Sequence, residues 1–117
     1  MFKVPLVPNP NQSVSFNVDG AYWRIHVYQA IERMYADVSR NGEVLIRGVR
    51  CVVGAGLMPY RHMYLPNFGN FIFDSEVDWT DFDSKCNLYY LTLEELKEFQ
   101  RLEEQSYEHG YTESRLK

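Results

Sequence analysis

The dipeptide Asp19-Gly20 constrains the fold of this chain more than any other feature of its sequence. It separates two segments, residues 13–18 and 21–28, in which apolar and polar residues alternate. Asp-Gly is typical of a two-residue type I′ turn, because both turn positions require a positive φ, and such a turn fixes which residues face each other. The expected apolar pairs are Val18 with Ala21, Phe16 with Trp23 and Val14 with Ile25. Turn chemistry and burial pattern agree, so we predict a β-hairpin in this register.

A second hairpin is predicted around Asn41-Gly42, between strands at residues 34–39 and 43–53. A two-residue turn would place Asp37 opposite Ile46, which is a poor match. A three-residue loop with a left-handed glycine pairs apolar residues instead. We therefore predict the loop Arg40-Asn41-Gly42, with the pairs Val38–Val44 and Ala36–Ile46. A short helix is the alternative, because four apolar residues also follow a helical spacing: Ile31, Met34, Tyr35 and Val38.

The remaining segments up to residue 91 also indicate β-structure. Gly54-Ala55-Gly56 is expected to turn a corner of a sheet. A short strand is predicted at residues 71–73 and a last one at residues 85–91, where Leu88-Tyr89-Tyr90-Leu91 is apolar at consecutive positions, as in a strand packed on both sides. The N-terminal residues 1–12 contain three prolines, which lack an amide donor, so this stretch is predicted to be an arm or an edge strand.

A C-terminal helix is predicted from the capping box that Thr92 and Glu95 form. Apolar residues recur behind it at every third position, and this spacing gives a broad apolar face: Leu93, Leu96, Phe99 and Leu102. We predict an arm or edge strand at 1–12, a β-domain at 13–91, the helix at 92–109 and a polar tail at 110–117. The fold class is mainly β, a compact antiparallel β-barrel or sandwich of about six strands with an added C-terminal α-helix.

Composition limits the classes of protein to which the chain can belong. The 117 residues carry a net charge of −4, which argues against a protein specific for double-stranded DNA, because such proteins need a basic surface. No apolar run approaches the roughly 20 residues that span a bilayer, so no membrane span is expected. The two cysteines, Cys51 and Cys86, lie in predicted strands. We expect synthesis in the cytoplasm and reduced thiols, although the pattern alone leaves a disulfide open.

Side chains that could support chemistry are present but poorly arranged for it. The segment 74–83 carries five carboxylates, yet it lacks the glycine and the closing glutamate of a calcium-binding EF-hand loop. The three histidines, His26, His62 and His109, have no metal-ligand spacing. Cys51 alternates with valines and is expected in the core. We therefore predict no catalytic residue, no cofactor and no metal site.

Two groups of residues are candidates for protein contacts. Tyr60, Arg61 and Tyr64 belong to an aromatic and basic loop, and Tyr and Arg are enriched in protein interfaces. Stacking on a sugar or a nucleic acid is the alternative for this loop. In the helix, Leu93 and Leu96 are expected nearer the chain's own core, whereas Phe99 and Leu102 are expected nearer a partner.

The order of these motifs resembles the phage baseplate plug family, small proteins of contractile-tailed phages of the cyanophage type. The resemblance covers about residues 3 to 91, three quarters of the chain. It rests on an ordered series of segments: Pro5-Leu6-Val7-Pro8-Asn9, Tyr22-Trp23-Arg24-Ile25, Leu45-Ile46-Arg47-Gly48-Val49, Val53-Gly54-Ala55-Gly56-Leu57, Gly69-Asn70-Phe71-Ile72-Phe73-Asp74 and Leu88-Tyr89-Tyr90. The helix after Thr92 goes beyond the family pattern.

The resemblance implies a structural subunit of a contractile phage tail baseplate, close to the hub and the central tail tube. It implies no chemistry, a place in the virion, and packing against other baseplate, hub or tail-tube proteins. Within such an assembly we expect several copies of the chain, a homo-oligomer, without specific nucleic-acid binding. The alternative from another class is a free ligand-binding β-module of the carbohydrate-binding type, which would use the exposed aromatic residues.

Overall fold

The computed structural model describes residues 1–58 and 68–106, which form seven β-strands, one short 3-10 helix and one α-helix. The strands are β1 (Phe2–Lys3), β2 (Asn11–Val18), β3 (Ala21–Ala30), β4 (Arg33–Arg40), β5 (Glu43–Arg50), β6 (Asn70–Phe73) and β7 (Leu88–Leu91). The 3-10 helix covers Trp79–Asp81, and the helix α1 covers Leu93–Ser106. β1 is a short edge strand on β7, whereas Asn11 and Gln12, which were predicted to belong to the N-terminal arm or edge strand, lie in β2.

The first hairpin has the predicted register. β2 and β3 pair over eight residues on each strand, including Val18 with Ala21, Phe16 with Trp23 and Val14 with Ile25. Asp19 and Gly20 adopt φ angles of 53° and 72°, as a type I′ turn requires.

The predicted register of the second hairpin is wrong. Arg40 pairs with Glu43, so the turn has two residues, Asn41 and Gly42, and not three. The pairing then shifts twice, because β5 has one extra residue between Val44 and Ile46 and another between Ile46 and Val49. These bulges bring Ile46 opposite Val38 and move Asp37 away from it. The mismatch that argued against a two-residue turn is therefore removed by bulges.

The helix proposed as an alternative for residues 31–38 is also wrong, because β3 and β4 form a third hairpin through Ile31 and Glu32. Both turn residues have positive φ, 49° and 63°. A β-branched residue rarely adopts this conformation, so the sequence carried no turn signal at this position.

The strands form two antiparallel sheets that pack face to face as a sandwich, one of the two predicted architectures. The large sheet has the order β2-β3-β4-β5, and the small sheet has the order β1-β7-β6. Trp23 lies between them, fully buried, with ring centres 5.1 Å from Phe71 and 5.4 Å from Tyr90. The Arg40 guanidinium closes one side of this cluster, 4.6 Å from the centre of the Phe68 ring.

The small sheet is covered on both faces, as its consecutive apolar residues predicted. Phe71 and Tyr90 point into the main core between the sheets, whereas Ile72 and Leu91 point to the opposite face. There Leu96 of α1 packs on them. The helix therefore forms a third layer over the small sheet.

A hydrogen-bond link joins the first turn to the small sheet. The buried Tyr90 hydroxyl donates to Asp19 Oδ2 (2.7 Å) and accepts from the Gly69 amide (2.8 Å). Gly69 itself lies so close to β7 that a Cβ would sit 1.7 Å from the Leu91 carbonyl oxygen, so a larger residue would displace the chain.

We expect Trp23→Ala to lower the free energy of unfolding by about 3–5 kcal/mol, because the deletion leaves a cavity between the two sheets. Arg24→Ala is the matched control: its side chain is exposed on the opposite face of the same strand, so its effect should stay within about 0.5 kcal/mol. Urea denaturation of the two variants measures both values. Equal losses would contradict this packing.

We expect Tyr90→Phe to cost about 1–3 kcal/mol, since it removes the hydroxyl that pairs with Asp19 and Gly69 while it leaves the ring packing intact. Tyr89→Phe is a suitable control, because Tyr89 points to the helix-covered face. The same denaturation experiment compares them, and a cost for Tyr89→Phe as large as that for Tyr90→Phe would argue against the link.

Candidate interaction surfaces

Three of the predicted interface residues, Tyr60, Arg61 and Tyr64, lie outside the described residues, and their role stays a prediction. The described residues on either side of them, Met58 and Phe68, both pack with the main core.

Asn70 fixes the position of Met58. It is the buried polar residue of the described core, and its side chain bonds the backbone of Met58 twice, to the amide (3.0 Å) and to the carbonyl oxygen (2.8 Å). Gly56 makes room for it, because a Cβ there would lie 2.3 Å from Asn70 Nδ2. Gly54, with φ of 75°, turns the chain just before, so the predicted glycine corner is present.

The helix α1 begins with the predicted capping box. Glu95 accepts a hydrogen bond from the Thr92 amide (2.9 Å), and the Thr92 hydroxyl accepts one from the Glu95 amide (3.2 Å). The Glu95 carboxylate also pairs with the amino group of Met1, and these bonds lower its pKa. The N-terminus and the helix start are thus tied together.

The apolar stripe of α1 is only partly used by the chain itself. Leu96 is buried, Leu93 is half-buried, and Phe99 packs at the edge of the Ile72–Leu91 cluster while it keeps part of its surface exposed. The side chain of Leu102 lies outside the described part of the chain. Phe99 therefore contacts its own sheet. The prediction that it also binds a partner stays a prediction.

Beside Phe99 lies an apolar groove of about 400 Å³. Its floor is the outer face of the small sheet, and its walls are α1 and the chain around Gly54; it is lined by Met1, Val53, Gly54, Ile72, Phe73, Asp74, Tyr89, Leu91 and Phe99. An open apolar surface of this kind is typical of protein contact sites.

The outer face of the large sheet carries a different surface, rich in arginine and polar residues, which we call the arginine face. Four exposed arginines, contributed by β3, β4 and β5, define it: Arg24, Arg33, Arg47 and Arg50. A central groove of about 350 Å³ crosses it, lined by Ser13, Arg24, His26, Asp37, Ser39, Val44 and Arg47.

The arginine face as a unit was not predicted from the sequence. The predicted three-residue loop directed Val44 inward, whereas the two-residue turn places it opposite Ser39 on the outer face. Arg50 lies on the same face, opposite Tyr35. The alternation of Arg24 with the buried residues Trp23 and Ile25 was the available signal.

One carboxylate, that of Asp37, lies at the centre of the arginine face and is already hydrogen-bonded within the chain. Asp37 accepts a hydrogen bond from the Gly48 amide (2.7 Å) and lies 3.4 Å from His26 Nδ1. The other ring nitrogen of His26 is 2.7 Å from Asn11 Oδ1. His26 thus belongs to a polar network on the outer face of the sheet.

The acidic segment 74–83 is held in a defined shape. Phe82 is buried and stacks on Phe73. The Asp78 carboxylate caps the 3-10 helix through the Thr80 amide and hydroxyl, and these hydrogen bonds lower its pKa. Asp83 pairs with Lys3 at 2.9 Å. Among residues 1–58 and 68–106, no three His, Cys, Asp or Glu side chains are grouped as a metal site.

Both cysteines are free thiols in the interior. Burial raises the pKa of Cys51 to about 12, and it also raises the pKa of Cys86. The thiolate, which is the nucleophilic form, is therefore disfavoured at neutral pH at both positions. These side chains act as core residues, as predicted for Cys51.

We expect neither thiol to react with a water-soluble disulfide reagent in the native protein at pH 7, and both to react after unfolding in urea. The reason is their burial together with the raised pKa values. Absorbance of the thiolate released from the reagent measures the number of reactive cysteines. Rapid labelling of a native thiol would show that the region around it opens.

Comparison with known proteins gives the family. Within the described ranges no helix is long and apolar enough to cross a membrane. No curated protein matches the chain. A family model described as the cyanophage baseplate plug gp18 of Pam3 matches residues 1–94, which include all seven strands and the start of α1. The chain therefore belongs to this family of cyanophage baseplate plug proteins, and its role is that of a structural component of the phage tail baseplate.

Proposed function

We propose that the chain is a plug subunit at the centre of a contractile tail baseplate, near the hub and the tail tube, and that it acts by packing against neighbouring baseplate proteins. The family match over residues 1–94 carries this proposal. The action is mechanical: the subunit fills space, is held by its contacts, and is displaced when the tail contracts, without turnover of a substrate.

The body of the protein suits such a role. Two sheets share one aromatic core, and α1 adds a third layer, so the chain presents rigid surfaces and not a flexible tether. The N-terminal segment adds to this rigidity, because Val4 and Leu6 are buried in the same core. A rigid subunit transmits force through its contacts.

We further propose that α1 supplies a contact to a neighbouring subunit. The family match ends at residue 94, so nearly all of α1 lies beyond the matched residues. The apolar groove beside Phe99 leaves room for an apolar segment of another protein. Phe99 and Leu102 would line this contact, and Tyr60, Arg61 and Tyr64 would form a second one.

The double variant Phe99→Ala, Leu102→Ala should fold but should fail to enter assembled tails, because burying one such side chain contributes about 1.5–3 kcal/mol to an interface. Lys97→Ala is the matched control on the exposed side of the same helix, and it should enter tails normally. Mass spectrometry of purified virions from phage complemented with each variant measures incorporation, and far-UV circular dichroism checks folding.

Absence of the wild-type chain from purified virions would contradict the baseplate role. In that case binding of the isolated chain to a glycan array would support the alternative, a free carbohydrate-binding module. Normal incorporation of the double variant would leave the baseplate role intact and would exclude the α1 contact.

A further inference from the structure

We propose that the central groove of the arginine face binds the acidic stretch 74–78 of a second copy of this chain. The contact would be head to tail, with different surfaces on the two copies, so it can close a ring around an axis. The proposal rests on the proposed function, in which several copies pack in one assembly, and it names the surfaces that would join them.

The arginines of this face are available for a partner. Arg24, Arg33, Arg47 and Arg50 are exposed, and none of them forms an ion pair with a described residue. Asp37, the carboxylate on the same face, is occupied by Gly48 and His26. Guanidinium groups bind carboxylates through two parallel hydrogen bonds, so the face is suited to acidic side chains.

The central groove holds two of these arginines, Arg24 and Arg47, on its walls. Arg24 on β3 and Arg47 on β5 are separated by one strand, so their backbones lie at least two strand spacings, about 10 Å, apart. The Ser13 and Ser39 hydroxyls line the same groove and can donate further hydrogen bonds.

The same chain carries the complementary surface. The described residues 68–106 contain ten acidic and three basic side chains, whereas residues 1–58 contain four acidic and six basic ones. In the acidic stretch, Asp74, Glu76 and Asp78 are exposed and alternate with half-buried residues. Asp74 accepts a hydrogen bond from the Asn87 amide (2.8 Å), and Asp78 accepts one from the Thr80 amide (3.0 Å).

Glu76 is the carboxylate most available to enter the groove of another copy, because no ion pair engages it among the described residues. In its own chain, Glu76 lines a smaller groove with Arg33 and Arg50, without an ion pair to either. Arg24 and Arg47 line the central groove instead, where Asp37 is the single acidic residue among the described residues that line it. The charges of that groove are therefore left for another molecule.

A nucleic acid is a weaker match for this face than an acidic protein surface. Bases bind by stacking on free aromatic rings, but the rings here stack on each other: Tyr28 lies 4.9 Å from His26 and 6.0 Å from Tyr35. Asp37 at the centre of the face and the net charge of −4 also repel a phosphate backbone.

Sedimentation velocity of the purified full chain tests the contact. We expect self-association at low salt that weakens in about 1 M NaCl, where the Debye length falls to about 3 Å. Arg24→Glu with Arg47→Glu, or Glu76→Lys alone, should weaken it at least about tenfold, or 1.4 kcal/mol. The control variants Lys97→Glu and Glu94→Lys change exposed charges on α1 and should associate as the wild type does.

A mixture of the two charge-reversed variants, Arg24→Glu with Arg47→Glu and Glu76→Lys, is the most direct test of the contact. Each variant alone should associate weakly, but an equimolar mixture should form dimers, because the unaltered Glu76 of one copy then meets the unaltered Arg24 and Arg47 of the other. Failure of the mixture to associate, or a wild type that stays monomeric at about 1 mM, a concentration at which contacts worth about 4 kcal/mol form, would overturn the proposal. Binding of a single-stranded oligonucleotide by a monomeric wild type through Arg24 and Arg47 would also overturn it.

A cross-link locates the contact. A Ser13→Cys chain mixed with a Glu76→Cys chain should form a disulfide-linked dimer much faster than either chain alone, and the buried Cys51 and Cys86 should not interfere. Equal rates in all three samples would contradict the contact. These measurements use the isolated chain, so they are independent of incorporation into virions, which tests the proposed function.

Discussion

The packing of Trp23 between the two sheets is the interaction on which the rest of the structure depends. Each sheet has three or four strands and buries one face against the other, so separating the sheets would expose the core residues of both. Trp23 contacts Phe71 and Tyr90 of the small sheet, and Tyr90 in turn binds Asp19 at the turn of the first hairpin. The same residues therefore fix the distance between the sheets and the position of one sheet along the other.

This core also decides where the surfaces for partners can lie. The inner faces of both sheets are buried in the sandwich, so the outer face of the large sheet carries polar and basic residues. The outer face of the small sheet is partly covered by α1, and the apolar groove lies on it beside the helix. The two outer sides thus differ in chemistry, one basic and one apolar and acidic. A subunit with unlike sides is suited to an assembly in which each side meets a different neighbour.

Features set by neighbouring residues could be predicted from the sequence. The Asp19-Gly20 turn fixed the register of the first hairpin, because a two-residue turn leaves only one pairing that also buries every apolar side chain on one face. The capping box at Thr92 marked the start of α1, because its two hydrogen bonds join residues three positions apart. The mainly β fold and the two-sided burial of β7 followed from short-range patterns in the same way. The family resemblance rested on these motifs.

What only the tertiary structure decided was the outcome of contacts between distant residues. The sequence could not place the bulges in β5, because a regular two-residue hairpin would set Ile46 opposite Asp37, and one extra residue in β5 brings Ile46 opposite the buried Val38 instead. Arg24 and Arg47 line one groove only because of those bulges, so the arginine face could not be predicted from the sequence. Short-range hydrogen bonds join residues that are close in the sequence and can be predicted from it. A surface is formed by side chains that the fold brings together from separate strands.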